Sequence, residues 1–339
     1  MPSRAPGSPW PGAYWRPLGQ PFPPPRGEIA PVANAPHIID TLISERAPRL
    51  FRPGPTGGLA RRLLYPFLGY GQAVALADAM GGRSGLAALE VVSDALRLRL
   101  TCSGLEHLPR SGPALLVANH PTGIADGVAV FDLLRHQRPD FMIFANRDAV
   151  RIAPALEEVI IPVEWRREAR SRARMRETLA GTQRAFREGR LVVVFPSGRL
   201  AYRDRGVLKE RPWQSTALSL ARRHRVPIIP LHIGARNSPV FYAAAKLSDQ
   251  LRDITLFYEV MNKRGTTYQM TLAPPLEPWP WLEASAALGP ATEALAAYVG
   301  SGFKAPRPGL LPRPQDDQTG ADNQRCAQGQ RAGGHLVEK

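Results

Sequence analysis

Ala114-Leu115-Leu116-Val117-Ala118-Asn119-His120-Pro121-Thr122-Gly123-Ile124-Ala125-Asp126-Gly127 is the stretch that decides the fold. Its first five residues are apolar and uncharged, which is the length and character of a strand buried on both faces. Pro121 and Gly123 break that ladder, and a helical stretch over 127–136 follows. Strand, loop and helix in this order make one step of an α/β unit, and the step repeats outward. Apolar runs at Phe141–Ala145, Val159–Val163, Leu191–Phe195, Ile228–Ile233 and Ile254–Tyr258 read as further buried strands, with helical stretches near 170–188 and 212–224 between them. Leu96, Leu98 and Leu100 alternate with Arg97, Arg99 and Thr101 as a half-buried strand. Tyr268–Leu272 closes the sheet, and a helix near 290–302 ends the pattern. The alternation predicts an α/β domain over 96–302 with a mostly parallel central sheet flanked by helices.

The flanks have a different composition. Residues 1–36 hold 11 prolines and no period, so they can propagate neither a helix nor a sheet ladder and read as a disordered leader without the layout of a signal peptide. Residues 303–339, rich in Gln, Gly, Asp and Arg, read as a disordered tail. Residues 37–95 form an N-terminal helical segment that opens with a short helix over 37–50. Within it Leu63–Ala77 carries no charge, but Pro66, Gly69 and Gly71 interrupt it, and a bilayer crossing needs about 20 apolar residues. Two readings stand. It is either an interfacial element with Tyr65, Phe67 and Tyr70 at headgroup level, or a helix packed on the following domain.

Among 339 residues, 44 are Lys or Arg and 29 Asp or Glu, a formal charge of +15, and only five of the 44 are lysine. Arginine's planar fork suits phosphate and carboxylate, so the surface attracts anions; codon usage in a G+C-rich genome gives the same excess, and only local clusters discriminate. No zinc-finger spacing or basic–aromatic interleaving accompanies the charge, which argues against nucleic acid. Arg166, Arg170 and Arg174 recur at helical spacing, either as a solvated face paired with Glu168 and Glu177 or as a dock for anionic lipid or an acidic carrier protein. Cys102 and Cys326 are too few for a disulfide framework and point to a reducing compartment. His224 and His232 lack a zinc-site arrangement and read as structural.

In parallel α/β sheets, ligands bind beyond the carboxyl ends of the strands, which is where His120 and Asp126 fall. Imidazole titrates near neutrality and can take a hydroxyl proton, while a carboxylate on its other nitrogen fixes the tautomer. On spacing alone, the pair could equally cap the next helix. Arg199, Arg203 and Arg205 follow another strand at the same edge, where an anionic headgroup would lie. Asn146, Arg147 and Asp148 end a third strand there, lining the cleft or, for Asp148, capping. A serine hydrolase built on Ser197 lacks the glycine two residues earlier that a nucleophile elbow needs, since that position is Phe195.

The block Asn119-His120-Pro121-Thr122-Gly123-Ile124-Ala125-Asp126-Gly127 resembles the catalytic His…Asp motif of the glycerophospholipid (PlsC-type) acyltransferase family, in particular a bacterial subgroup reading Asn-His-Pro-x-Gly-x-x-Asp-Gly. Phe195-Pro196-Ser197-Gly198-Arg199 is similar to the family's acceptor-binding block, and Val226-Pro227-Ile228-Ile229-Pro230 to its later Val-Pro block. The resemblance covers about residues 97–275. It implies a glycerolphosphate-acyltransferase-like fold and transfer of a fatty acyl group from a thioester, acyl-CoA or acyl carrier protein, to a lysolipid hydroxyl, with no cofactor and no metal. His120 would be the base and Asp126 its holder, with Asn119, Gly123, Ser197, Gly198, Arg199 and Arg203 binding substrate. The enzyme would be peripheral, on the cytoplasmic face of an anionic membrane. Two positions depart from the family. Five residues, not four, separate His120 from Asp126, and Ser197 stands where the family usually has Glu, which widens the acceptors to lysolipids such as lyso-ornithine lipid.

Overall fold

The computed structural model of the protein describes residues 36–164, 169, 171–277 and 288–308. Its centre is a seven-stranded sheet built from β1 (Arg99–Ser103), β2 (Ala114–Ala118), β3 (Phe141–Asn146), β4 (Ile160–Val163), β5 (Leu191–Val194), β8 (Ile228–Gly234) and β9 (Thr267–Leu272), in the order β1-β9-β8-β2-β5-β3-β4. All neighbours run parallel except β8 and β9. The strand that opened the sequence argument is the middle one. β2 is buried over its whole length, and its side chains alternate between two layers as the pleat requires. Ala114, Leu116 and Ala118 join a core with α4 (Gly85–Leu96) and α5 (Ile124–Leu134), while Leu115 and Val117 join one with α7 (Arg172–Arg187), α8 (Thr216–His224) and the terminal helix Leu288–Gly300.

Strand ends move by one to three residues from their expected positions, and one expected strand is absent. Ile254–Tyr258 lies inside helix α10 (Asp249–Asn262). A short apolar run does not distinguish a strand from a helical segment, and here Ser248 caps a 14-residue helix whose Leu251, Ile254 and Phe257 face the N-terminal helices. Leu96, expected in a strand, is instead the last, fully buried residue of α4, which ends where Arg97 turns left-handed at φ 45°.

The N-terminal segment forms α1 (Ile38–Arg46), α2 (Pro55–Phe67) and α3 (Tyr70–Met80), with α4 completing it. The apolar stretch Leu59–Met80 is thus two helices parted at Leu68-Gly69, where Gly69 takes φ 67°. Ile39, Ile43, Phe51, Leu68, Ala73 and Ala77 pack with Ile254 of α10 into a third core. Residues 1–35 and 309–339, most of the expected leader and tail, lie outside the described residues. The first residues of the expected tail pack back on the domain: Phe303 meets Tyr298 and His232, and Arg307 donates to the Pro275 carbonyl.

Candidate active site

β2 delivers Asn119 and His120 to the carboxyl edge of the sheet, and the chain then reverses through Gly123 into α5. Gly123 has φ 93°, and a Cβ there would come within 2.6 Å of the Leu200 side chain, so the turn is open only to glycine. It accommodates the fifth intervening residue. Asp126, in the first turn of α5 and fully buried, places Oδ2 3.0 Å from His120 Nδ1. The same Oδ2 accepts the N–H groups of Thr122 (2.8 Å) and Gly123 (2.9 Å), and Oδ1 accepts the Thr122 hydroxyl (2.5 Å). Capping and ring-holding, which the sequence leaves as alternatives, therefore coexist in one carboxylate. With Oδ2 already accepting two N–H groups, the His120 contact is a charge approach without an aligned hydrogen bond. Phe195 stacks on the imidazole at 4.3 Å between ring centres, and the His120 side chain keeps 19% of its surface exposed.

Three partners of this pair come from far along the chain. The Thr122 hydroxyl donates its one hydrogen to Asp126, so the Tyr268 hydroxyl, 2.8 Å from Thr122 Oγ1, must be the donor there. Burial, with Asp126 nearby, pushes the Tyr268 phenol well above its ordinary value, so it remains a donor. Glu210 accepts the His120 backbone N–H at Oε1 (2.5 Å) and the Trp213 indole N–H at Oε2 (2.6 Å). Burial raises its carboxyl above the usual range despite these bonds. The sequence reading missed Thr122, Tyr268, Glu210 and Trp213. The only local sign was Glu210 standing three residues before Trp213 in a stretch without periodicity.

The remaining expected site residues divide. Asn119 is buried, and its carboxamide is fully engaged, donating to the Ile233 carbonyl (2.9 Å) and accepting the Ile233 N–H (2.6 Å); it fastens β2 to β8 and offers nothing to a substrate. Ser197 is buried with its hydroxyl on the Arg199 carbonyl (2.8 Å). The N–H of Gly198 goes to the Phe195 carbonyl and that of Gly123 to Asp126, so donors for a developing oxyanion lie elsewhere. Arg199 is exposed and makes no side-chain contact among the described residues. Arg203, in the hairpin of β6 (Tyr202–Asp204) and β7 (Val207–Lys209), lies over the Tyr242 ring at 5.1 Å.

Other expected clusters serve the scaffold. Asp148 pairs with Arg46 (2.8 Å) and Arg151 (3.2 Å); burial alone would raise its carboxyl, and the two guanidiniums hold it below the usual range. Arg147 pairs with Glu177. Arg174 pairs with Glu164, while Arg166, Arg167 and Arg170 lie outside the described residues. His232 Nδ1 donates to the Val299 carbonyl (2.8 Å), and His224 packs on Phe186. Among the described residues, no three His, Cys, Asp or Glu side chains converge as a metal site, and no helix is long and apolar enough to cross a membrane.

A buried carboxylate behind a part-exposed imidazole, at the carboxyl end of the middle strand of an α/β sheet, is the arrangement of an acid–base enzyme. Residues 99–234 match the Acyltransferase family model. The chain belongs to the glycerophospholipid (PlsC-type) acyltransferase family. It is 27% identical over 202 residues to a lyso-glycine lipid O-acyltransferase of Phocaeicola vulgatus, covering 58% of this chain and 70% of that protein. A protein of the same description from Bacteroides thetaiotaomicron is 26% identical over 202 residues, covering 58% and 72%. A looser likeness links it to the crystal structure of the 1-acyl-sn-glycerophosphate acyltransferase of Thermotoga maritima, at 14% identity and TM-score 0.41 over 77% of this chain and 96% of that one.

Proposed function

We propose that the protein transfers a fatty acyl group from a thioester, on coenzyme A or acyl carrier protein, to the hydroxyl of a lysolipid whose headgroup is an amino acid. The observation that carries the chemistry is His120 Nδ1 at 3.0 Å from the buried Asp126, which leaves Nε2 to take the hydroxyl proton. The lipid oxygen attacks the thioester carbonyl, the tetrahedral intermediate collapses with loss of the thiolate, and the imidazolium returns its proton to that sulfur. His120 and Asp126 thus work as base and holder, with no covalent enzyme intermediate and no step for a metal. Gly123 serves by keeping backbone close to the reacting atoms.

Two features favour an amino-acid lysolipid over lysophosphatidic acid. Ser197 replaces the family's usual Glu and has turned its hydroxyl inward onto Arg199, and the two relatives named above are lyso-glycine lipid enzymes. The exposed Arg199 is the guanidinium we assign to the headgroup's carboxylate, with Arg203 as a second positive charge at the rim.

The membrane contact we assign to α2. Leu59, Leu63 and Phe67 recur at i, i+4 and i+8 and are 58%, 65% and 50% exposed, beside Arg62; such a stripe suits the interface of an anionic leaflet. Tyr65 and Tyr70, expected at the headgroups, instead both donate to Asp40, so the aromatic contribution falls to Phe67. On this reading the enzyme is peripheral and faces the cytoplasm, where thioester donors are made.

The test is direct. Purified protein is incubated with acyl-CoA and acyl-carrier donors against lysophosphatidic acid, lyso-ornithine lipid and lyso-glycine lipid, and products are identified by mass. Faster acylation of the amino-acid lipids is expected; a clear preference for lysophosphatidic acid would overturn the acceptor assignment, and hydrolysis alone would overturn acyl transfer.

A further inference from the structure

One strand over from His120, the chain leaving β8 opens a cleft of about 800 Å³ that is lined by Arg236, Asn237, Lys263, Tyr268 and, from the β6–β7 hairpin, Leu208. Its wall is continuous with the catalytic pair, because the Tyr268 hydroxyl touches Thr122, which touches Asp126. At its edge Asn237 is 3% exposed, yet neither its Nδ2 nor its Oδ1 has a hydrogen-bond partner among the described residues. The surrounding groups are all engaged. Ser238 gives its N–H and hydroxyl to Glu259, Lys263 donates to the same carboxylate (2.5 Å), and the Asn237 N–H itself goes to the Tyr242 hydroxyl (3.3 Å). A buried carboxamide with both ends unmet is costly, and in a cleft beside a reaction centre it points to a ligand.

The chemistry of that ligand follows from the carboxamide. Asn237 presents one kind of donor and one acceptor side by side. Carboxylate or phosphate oxygens only accept and would leave Oδ1 unmet, and in lysophosphatidic acid the only hydroxyl that could meet it is the one that reacts. A secondary amide supplies a C=O and an N–H and meets both. We propose that Asn237 forms a subsite for an amide group of the substrate, with Arg236 on the rim placed for an adjoining anion. Lys263 is excluded from that role because Glu259 holds its charge. Two substrates carry such an amide: the acceptor, where an amino acid is joined to a fatty chain, and the pantetheine arm of the donor. The inference rests on the acyltransferase reading above only in its choice of probes.

Binding tests it independently of turnover. The full chain is titrated calorimetrically with N-octanoylglycine, which has the amide and the carboxylate but no hydroxyl to acylate, and with decanoate, which has similar length and no amide. Wild type should bind N-octanoylglycine about tenfold more tightly, the worth of two neutral hydrogen bonds, and Asn237→Leu should bind both alike. Equal binding of the two probes by wild type would overturn the subsite without recourse to any variant, as would an unchanged preference in a folded Asn237→Leu. Pantetheine is the second arm. If it displaces N-octanoylglycine from wild type and binds Asn237→Leu more weakly, the amide read is the donor's; if it does not compete, the amide is the acceptor's. A retained probe preference in a protein that acylates no lysolipid would leave the subsite standing and remove the proposed function.

Discussion

At the residue scale the molecule concentrates on Asp126, whose two oxygens serve four neighbours: two backbone N–H groups, the Thr122 hydroxyl and the His120 ring. This separates the expected effects of the two obvious substitutions. His120→Ala removes a part-exposed ring that caps nothing, so kcat/KM should fall about 10²- to 10⁴-fold with little change in the thermal unfolding midpoint. Asp126→Asn replaces an acceptor by a group with a donor face amid N–H donors. Activity should fall comparably, and the fold should lose about 1–3 kcal/mol from unmet buried groups. Kinetics and thermal unfolding on the same samples check both; equal destabilisation by the two variants would contradict the assignment. Tyr268→Phe removes only the outermost donor, so a loss of roughly 0.5–1.5 kcal/mol in denaturant unfolding is expected, with Asp126 still held by Thr122. His120 and Asp126 were legible because their relation is local, a strand end and the first turn of the next helix. Glu210 and Tyr268 were not, since they reach the site across 90 and 146 residues, a distance over which no spacing rule operates.

At the scale of elements, the same distinction explains which segments were read correctly. Strands buried on both faces announce themselves as uncharged runs, and β2, β3, β5 and β8 follow that rule. Ile254–Tyr258 obeys it equally well and is helical, because the third core covers that side of α10 and its polar positions Arg252, Asp253 and Glu259 lie just outside the run. The apolar stretch of the N-terminal segment was legible as amphipathic, but its two faces were exchanged. Leu68 is buried and Tyr65 is tied to Asp40, whose charge, after burial itself, helps push the Tyr65 phenol up to about 12. The outward stripe is Leu59, Leu63 and Phe67. Changing these three to Ser should weaken co-sedimentation with anionic vesicles without altering thermal unfolding, since none of them belongs to the core. The matching triple at Tyr65, Leu68 and Ala73 should instead lower the unfolding midpoint. Unchanged vesicle binding by the Leu59/Leu63/Phe67 variant would move the membrane contact to another face.

At the scale of the whole molecule, the arginine excess turns out to be partly internal. Arg138 is fully buried, with its guanidinium on Asp140 and on the Pro109 and Gly112 carbonyls, so it fastens loops at the edge opposite the active site. A net charge read from sequence counts such a residue as surface, which is why charge alone identified no partner. The two ends of the domain are closed by His232. This β8 side chain donates from Nδ1 to the Val299 carbonyl of the terminal helix and faces Gly302 and Phe303. Burial lowers its pKa below the ordinary value near 6.5, and the Val299 bond only partly offsets this. The folded protein therefore keeps this imidazole neutral at a pH where the unfolded chain has protonated it, and the unfolded state binds more protons. Stability contributed by the neutral ring is present above about pH 6.5 and is lost as pH falls toward the depressed folded value. His232→Gln keeps a donor for Val299 and cannot titrate. Between pH 7 and pH 5 the unfolding midpoint of the wild type should fall more steeply than that of His232→Gln, so the gap between the two changes with pH. Parallel curves would assign the acid sensitivity to other groups and leave His232 as a packing residue alone.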